Sequence, residues 1–329
     1  ALISVSDKRG LTPFAAGLVD EGVEIVSSGG TATHLEQAGI PVVRVEDATG
    51  APEMLGGRVK TLHPRIHGGI LADLGEEEHR KALMDFGIQP FQLVVVNLYP
   101  FEATVASVAD HDTVIENIDI GGPTAIRSAA KNHAWVAVVV SPDRYDEVLA
   151  AVRGGGTTAS QRADLAKEAF FRTAQYDAAI VNWLERDGAD RLALALEKAT
   201  GLRYGENPHQ EAALYTLAGG GGWWATAEQV QGKAMSFNNY ADADSAWRLV
   251  NDLEPGSVAI LKHMHACGAA YGDSMLEAFE RAWACDPLSA FGGIVALNGE
   301  LDGATAKAIS AHFVEVILAP SMTDEARAI

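Results

Sequence analysis

Short apolar runs alternate with helix-like segments through roughly the first 150 residues, and this alternation constrains the fold more than any other feature. Leu2–Val5, Val23–Val26, Pro41–Val45, Leu93–Val96 and Trp135–Val140 read as buried strands. Between them, Leu11–Glu21, Thr31–Ala38, Glu76–Phe86 and Thr124–Lys131 read as helices. Strands that alternate with helices form a parallel sheet covered on both faces, an α/β architecture. Such sheets bind ligands outside the carboxyl ends of their strands, so the turns after these runs are where chemistry is expected.

A second region follows. Residues from about 160 to 198 read as helical, with Leu165, Ala169, Phe170, Thr173, Tyr176 and Ile180 recurring as a packing stripe. Leu202–Gln210 opens a new segment, and Gly219–Gly222 reads as a flexible loop. Val258–Leu261 and Ile294–Leu297 read as strands, and Ser274–Ala284 as a helix. A chain of 329 residues accommodates two domains. They are expected at 1–198, including a helical linker, and at 199–329.

A formal net charge of -19 argues against a nucleic-acid or anionic-membrane surface. It leaves room for a small anionic substrate in a locally basic cleft. No apolar run approaches the roughly 18 residues of a membrane helix. The start, at Ala1 rather than Met, has no signal-peptide pattern. The two cysteines, Cys267 and Cys285, imply no disulfide framework and read as buried small residues. A cytoplasmic setting is expected.

Within this acidic chain, Gly56–His67 carries Arg58, Lys60, His63, Arg65 and His67. Its glycines allow close backbone approach, and its cations and imidazoles suit a phosphate and a reacting centre. A basic surface loop is the plainer alternative. Four other polar turns stand out, three of them after predicted strands. Ser4–Lys8 offers hydroxyls and an ammonium for phosphate, or Ser6 or Asp7 as a helix cap. Ser27–Thr31 exposes backbone N–H groups at a helix start, without the pattern of a Walker or dinucleotide-binding loop. Asn97–Phe101 presents Tyr99 as a proton donor or as a half-buried ring. Asp119–Thr124 sets a carboxylate before a Gly-Gly turn, with Pro123 near a helix start and Lys131 at that helix's end. In the second region, Lys262-His263 reads as a proton-transfer pair or a surface dipeptide. A zinc site at His263, His265 and Cys267 is rejected, because an extended segment supplies no fourth ligand.

Taken together, SVSDK, SSGGTA, PEMLGGRVKTLHP, NLYPF, ENIDIGGPT, AAKNHA, LRYGENPHQ, QGK-x-x-SFNN, KH-x-x-x-CG and DPLSAFGG are highly specific. The chain resembles the family of bifunctional purine-biosynthesis proteins with AICAR transformylase and IMP cyclohydrolase activities. The resemblance implies a methylglyoxal-synthase-like N-terminal domain, then part of a transformylase domain similar in fold to cytidine deaminase but without zinc. It also implies a homodimer that binds the nucleotides AICAR, FAICAR and IMP and uses 10-formyltetrahydrofolate as co-substrate. No metal or cofactor is implied for the cyclohydrolase. The family's sequences continue past Ile329, so the chain is expected to end within the transformylase domain.

By the same resemblance, Lys60, Tyr99, Asp119 and Lys131 fall on catalytic positions of the cyclohydrolase. Ser6, Lys8, Ser28, Gly30, Thr31, Arg58 and Thr61 fall on nucleotide-contacting ones. Lys262 and His263 match the transformylase Lys-His pair, and Arg203, Tyr204 and Asn239 match positions that hold the AICAR nucleotide. The pattern departs at Met264-His265-Ala266, where the family usually reads x-Asn-Pro. Two alternatives stand beside this reading: a catalytically silent nucleotide- or phosphate-binding regulatory module of the same fold, and a methylglyoxal-synthase-type lyase.

Overall fold

A computed structural model describes residues 1–52, 54–107, 110–186, 188, 190–218 and 222–329. The chain divides into two compact units, Ala1–Ala195 and Leu196–Ile329.

The first unit runs β1 (Leu2–Val5), α1 (Leu11–Asp20), β2 (Val26–Ser27), α2 (Gly29–Gln37), β3 (Val43–Arg44), α3 (Val45–Thr49), α4 (Pro64–Leu71) and α5 (Glu77–Asp85). It continues with β4 (Leu93–Asn97), α6 (Phe101–Ala106), α7 (His111–Glu116), α8 (Gly121–Lys131), β5 (Ala137–Val139), α9 (Tyr145–Arg153) and α10 (Ala159–Leu184). The five strands form one parallel sheet in the order β3-β2-β1-β4-β5. Leu2, Ile3, Val94, Val95 and Val138 are fully buried or nearly so, as strands covered on both faces require. The apolar runs at 23–26 and 41–45 read as whole strands in the sequence, yet only Val26–Ser27 and Val43–Arg44 pair. Ile25 and Val45 are buried without belonging to a strand, because burial needs packing and not a ladder.

The helical reading of 160–198 requires correction. Helix α10 ends at Leu184, where the apolar stripe gives way to a charged run. Residues Leu196–Gly201 instead form β6, which pairs antiparallel with β7 (Ala213–Leu217). These residues belong to the second unit. Of the glycine run 219–222, residues 219–221 lie outside the described residues.

The second unit continues with α11 (Phe237–Asp252), β8 (Ser257–Lys262), β9 (His265–Tyr271), α12 (Met275–Cys285), α13 (Pro287–Ala290), β10 (Gly293–Leu297), α14 (Gly303–Ser310), β11 (Val314–Leu318) and α15 (Asp324–Ala328). Its main sheet is mixed, in the order β11-β10-β8-β9, with β10 and β11 parallel and the other pairs antiparallel. Side chains alternate across it. Ala259, Leu261, Ile294 and Ala296 pack with Ala243, Ala246 and Val250 of α11. Val258, Ile260, Val295 and Leu297 pack on the other face with Phe279 of α12 and Ile309 of α14. The cysteines depart from the buried reading. Cys267 is half-buried and Cys285, in the last turn of α12, is exposed. No helix among the described residues is long and apolar enough to cross a membrane.

One buried contact joins β1 to α2. The Thr31 hydroxyl accepts from the Val5 N–H and donates to the Val5 carbonyl, each at 3.0 Å. Thr31→Val keeps the shape and leaves both backbone groups buried and unpaired. It should lower the unfolding free energy by about 1–3 kcal/mol in denaturant titrations. Thr33→Val, on the exposed side of α2, should change it by less than about 0.5 kcal/mol.

Candidate functional site

The strand order reverses between β1 and β4, so chain leaving these neighbours diverges and opens a crevice at their carboxyl ends. Parallel pairing brings the turns after β1, β2 and β4 to that same edge. Asn97, the last residue of β4, bridges the crevice. Its Oδ1 accepts from the N–H groups of Ser6 at 2.6 Å and Asp7 at 2.9 Å, and its Nδ2 donates to the Asp7 carbonyl. The Ser6–Lys8 turn is thereby held open, with Lys8 Nζ 3.3 Å from the Ser6 carbonyl. Neither Ser6 nor Asp7 caps α1, as the alternative reading had it. Gly10 stands at that position, and the Asp7 carboxylate accepts from Arg9 instead.

After β2, Ser28 is extended and Gly29 takes a positive φ of 52°, which turns the chain into α2. No side chain caps α2. Its first N–H groups have no partner within the helix and carry the positive end of its dipole. Open space lies beside Gly30. Ser28 and Thr31 are buried, and the Thr31 hydroxyl is held by Val5. A phosphate here would meet the backbone of this turn rather than the Thr31 side chain.

The basic segment before α4 reaches the amino ends of α2 and α8. A Cβ placed on Gly29 would lie 3.5 Å from Lys60 Nζ, so the ammonium sits at the amino end of α2. A Cβ placed on Gly121 would lie 2.8 Å from Thr61 Oγ1, so the neighbouring hydroxyl sits at the amino end of α8. Lys60 and Thr61 thus link the Ser-Gly-Gly-Thr turn to the Asp119 turn. Arg58 pairs with Glu116 of α7 across the surface. His63 caps α4 by accepting from the Arg65 N–H, which gives this imidazole a structural duty. His67 Nδ1 lies 3.3 Å from Ser128 Oγ of α8, and burial lowers its pKa below the ordinary 6.5.

Asp119 is the partly buried carboxylate of the group. Its Oδ1 accepts from the Gly122 N–H at 2.8 Å, and the N–H groups of Tyr99 and Gly121 also face the carboxylate. Burial outweighs these donors and raises its pKa above the ordinary 3.8. A carboxylate so placed is a stronger base than one in water. The Tyr99 ring is half-exposed at the end of β4. Lys131 stands apart. It is exposed in the last turn of α8, about 15 Å of helix rise from Gly121. The reading of Pro123 near the helix start holds loosely, as its third residue.

In the second unit, Lys262 ends β8 and donates to the Phe291 carbonyl at 2.7 Å. The chain was read as extended through His263, His265 and Cys267, and this requires correction. Lys262 pairs with His265 across a two-residue hairpin turn, with His263 and Met264 at its tip. Both tip residues have positive φ, 53° and 63°, as a tight hairpin with right-handed twist demands. The Met264 N–H donates to Asp242 Oδ1 of α11 at 2.7 Å, tying down the turn. The Arg203 guanidinium lies over the Tyr204 ring, 4.9 Å from its centre. The Tyr204 carbonyl accepts from the Phe237 N–H at the start of α11. Asn239 is buried there. Its amide closes a capping box with Ser236 and donates to Glu315 Oε2 at 2.6 Å, so it holds the fold locally.

Of Asn97, Tyr176 and Asp242, the sequence singles out neither the first nor the last, and it marks Tyr176 only as part of a packing stripe. An asparagine closing a strand of valines was a signal for the first. The hydroxyl within an apolar stripe was a signal for the second. Asp242 gave none.

The family model described as AICARFT/IMPCHase bienzyme matches residues 129–329, and that described as MGS-like domain matches residues 10–124. The bifunctional purine biosynthesis protein PurH of Mycobacterium ulcerans (strain Agy99) is 52% identical over 331 residues, spanning 98% of this chain and 63% of that protein. The protein of the same name from Rhodospirillum rubrum is 52% identical over 335 residues, spanning 100% of this chain and 64% of that protein. The chain thus covers slightly less than two thirds of these relatives' length. Among solved structures, the crystal structure of ForH is similar at 36% identity and a TM-score of 0.50, covering 56% of this chain and 97% of that one.

The raised pKa of Asp119 has a consequence for stability. A carboxyl group with a folded pKa above its unfolded one favours the folded state only while protonated. Its ionised form therefore costs stability at neutral pH. Asp119→Asn, which keeps the acceptor for the Gly122 N–H, should raise the melting temperature at pH 7. The gain should shrink as the pH falls through the carboxylate range and vanish below 3.8. Thermal melts of both proteins across this range check it.

Proposed function

The chain belongs to the AICARFT/IMPCHase bienzyme family, and from that premise we propose that its first unit closes the ring of FAICAR to give IMP. The observation that carries this reading is the arrangement at one sheet edge. Lys60 lies at the amino end of α2, Thr61 at the amino end of α8, and Asp119 beside the backbone of Tyr99.

Ring closure joins the carboxamide nitrogen to the formyl carbon and breaks the formyl carbon–oxygen bond. The departing water takes the formyl oxygen, one proton from the carboxamide nitrogen and one from the formamido nitrogen. Asp119 receives the carboxamide proton as the nitrogen attacks. Lys60 and the Tyr99 hydroxyl stabilise the oxyanion that develops on the formyl oxygen and return a proton to it. Lys131 is assigned to the same reaction by its match to the family's motif. Its place at the far end of α8 means that it must act through its long side chain or on the substrate's outer edge. The 5′-phosphate rests on the amino end of α2, with Ser6, Lys8, Ser28 and Gly30 around it, and Arg58 and Thr61 close over the nucleotide. The residues in these roles need no metal.

The second unit is read as taking part in the preceding step, formyl transfer from 10-formyltetrahydrofolate to the amine of AICAR. His263 is the base and Lys262 its electrostatic partner, with Arg203, Tyr204 and Asn239 on the AICAR side. The working protein is read as a cytoplasmic homodimer.

Purified chain given FAICAR without folate should form IMP, followed by absorbance. Lys60→Ala should lower kcat by about 100- to 1,000-fold, the loss typical of one preorganised oxyanion donor. Near-normal turnover by this variant would remove Lys60 from the mechanism. Saturable FAICAR binding by the unaltered chain without turnover would remove the cyclohydrolase reading itself.

A further inference from the structure

Tyr176 lies in the apolar stripe of α10 and is one of the largest fully buried side chains of the protein. Its ring meets that of Phe101 edge-on, with centres 5.9 Å apart. Packing explains the ring but not the hydroxyl, since a phenylalanine would fill the same space. The hydroxyl oxygen accepts from the Asp119 N–H at 2.8 Å, and the O–H donates to the Asn117 carbonyl at 3.2 Å. These two backbone groups flank the turn between α7 and α8, where neither helix supplies them a partner. The tyrosine replaces the missing ladder at this one place.

Asp119 is thus gripped from two sides. Tyr176 holds its main chain, and the first turn of α8 holds its carboxylate through the Gly122 N–H. A Cβ on Gly122 would come within 2.4 Å of Asp119 Oδ2, so little slack remains on that side either. Burial keeps the phenol protonated, because its pKa is raised above the ordinary 10.0. The donor to Asn117 therefore persists throughout the neutral range.

We propose that Tyr176 is a positioning residue for the cyclohydrolase: it fixes the backbone of Asp119 so that the carboxylate meets the carboxamide proton in line. This rests on the ring-closure reading above. The phosphate-gripping turns lie on other elements, and the two hydrogen bonds of the Tyr176 hydroxyl go to Asp119 and Asn117, so it should matter to turnover and not to nucleotide affinity.

The test is Tyr176→Phe in the full chain, with FAICAR as substrate. The expected result is a kcat lower by about 10- to 100-fold, the scale of a misplaced catalytic group. The KM should stay within about twofold, and the far-ultraviolet dichroism should match that of the unaltered protein. A folded variant with unchanged kcat, or one whose loss falls entirely on KM, would overturn the proposal. A second measurement needs neither substitution nor substrate. In the unaltered protein, the Asp119 amide should exchange its hydrogen far more slowly than the amide of Ile120, an exposed residue. Rapid exchange at Asp119 would also overturn the proposal. If the unaltered chain does not turn over FAICAR, the ring-closure reading fails, and with it the catalytic role given to Tyr176. The exchange rate then still reports whether the backbone grip exists.

Discussion

Pairing of β1 with both β2 and β4 in parallel is the constraint on which the first unit depends. Parallel strands finish at the same edge, so residues far apart in sequence arrive together without any contact being specified between them in advance. Asn97 and Ser6 are separated by 91 positions, yet one side chain joins them. The same side chain also satisfies two backbone donors that diverge from the sheet and would otherwise lack partners. At the base of the crevice the Asn97 side chain ties the turn after β1 to the end of β4.

Local electrostatics then oppose the overall charge. A protein of net charge -19 repels anions at long range. Beyond about 10 Å at ordinary ionic strength, that repulsion is screened. Within this distance lie the amino ends of α2 and α8 and the Lys60 ammonium, each of which favours an anion. The carboxylate among them, Asp119, accepts from backbone N–H groups and is raised in pKa by burial. The fold has placed a carboxylate where it is costly to keep ionised.

The second unit stores its strain differently. His263 and Met264 both adopt left-handed backbone, which costs a side-chain-bearing residue about 1–2 kcal/mol. The pairing of β8 with β9 on one side, and the grip of Asp242 on the Met264 N–H on the other, offset that cost. The result is a histidine presented at the tip of a hairpin beside Lys262. In a longer, unstrained loop the two side chains would have no fixed relation.

Much was legible in the sequence because the signals are local. Strand-helix alternation specified a parallel sheet, glycines marked the turns, and the motif set identified the family. Local signals also misled where burial and pairing part company, as in the short strands at Val26–Ser27 and Val43–Arg44 and in the strand that replaces the end of the expected helix. What the sequence by itself determined was the inventory: which residue types follow which strands. Only the tertiary structure decided their company. It set Lys60 over one turn and Thr61 over another, drew Asn239 into a capping box with Ser236, and gave a packing tyrosine the main chain of Asp119. The physical reason is that hydrogen bonds between residues tens of positions apart depend on how helices pack against the sheet. No periodicity along the chain records that packing.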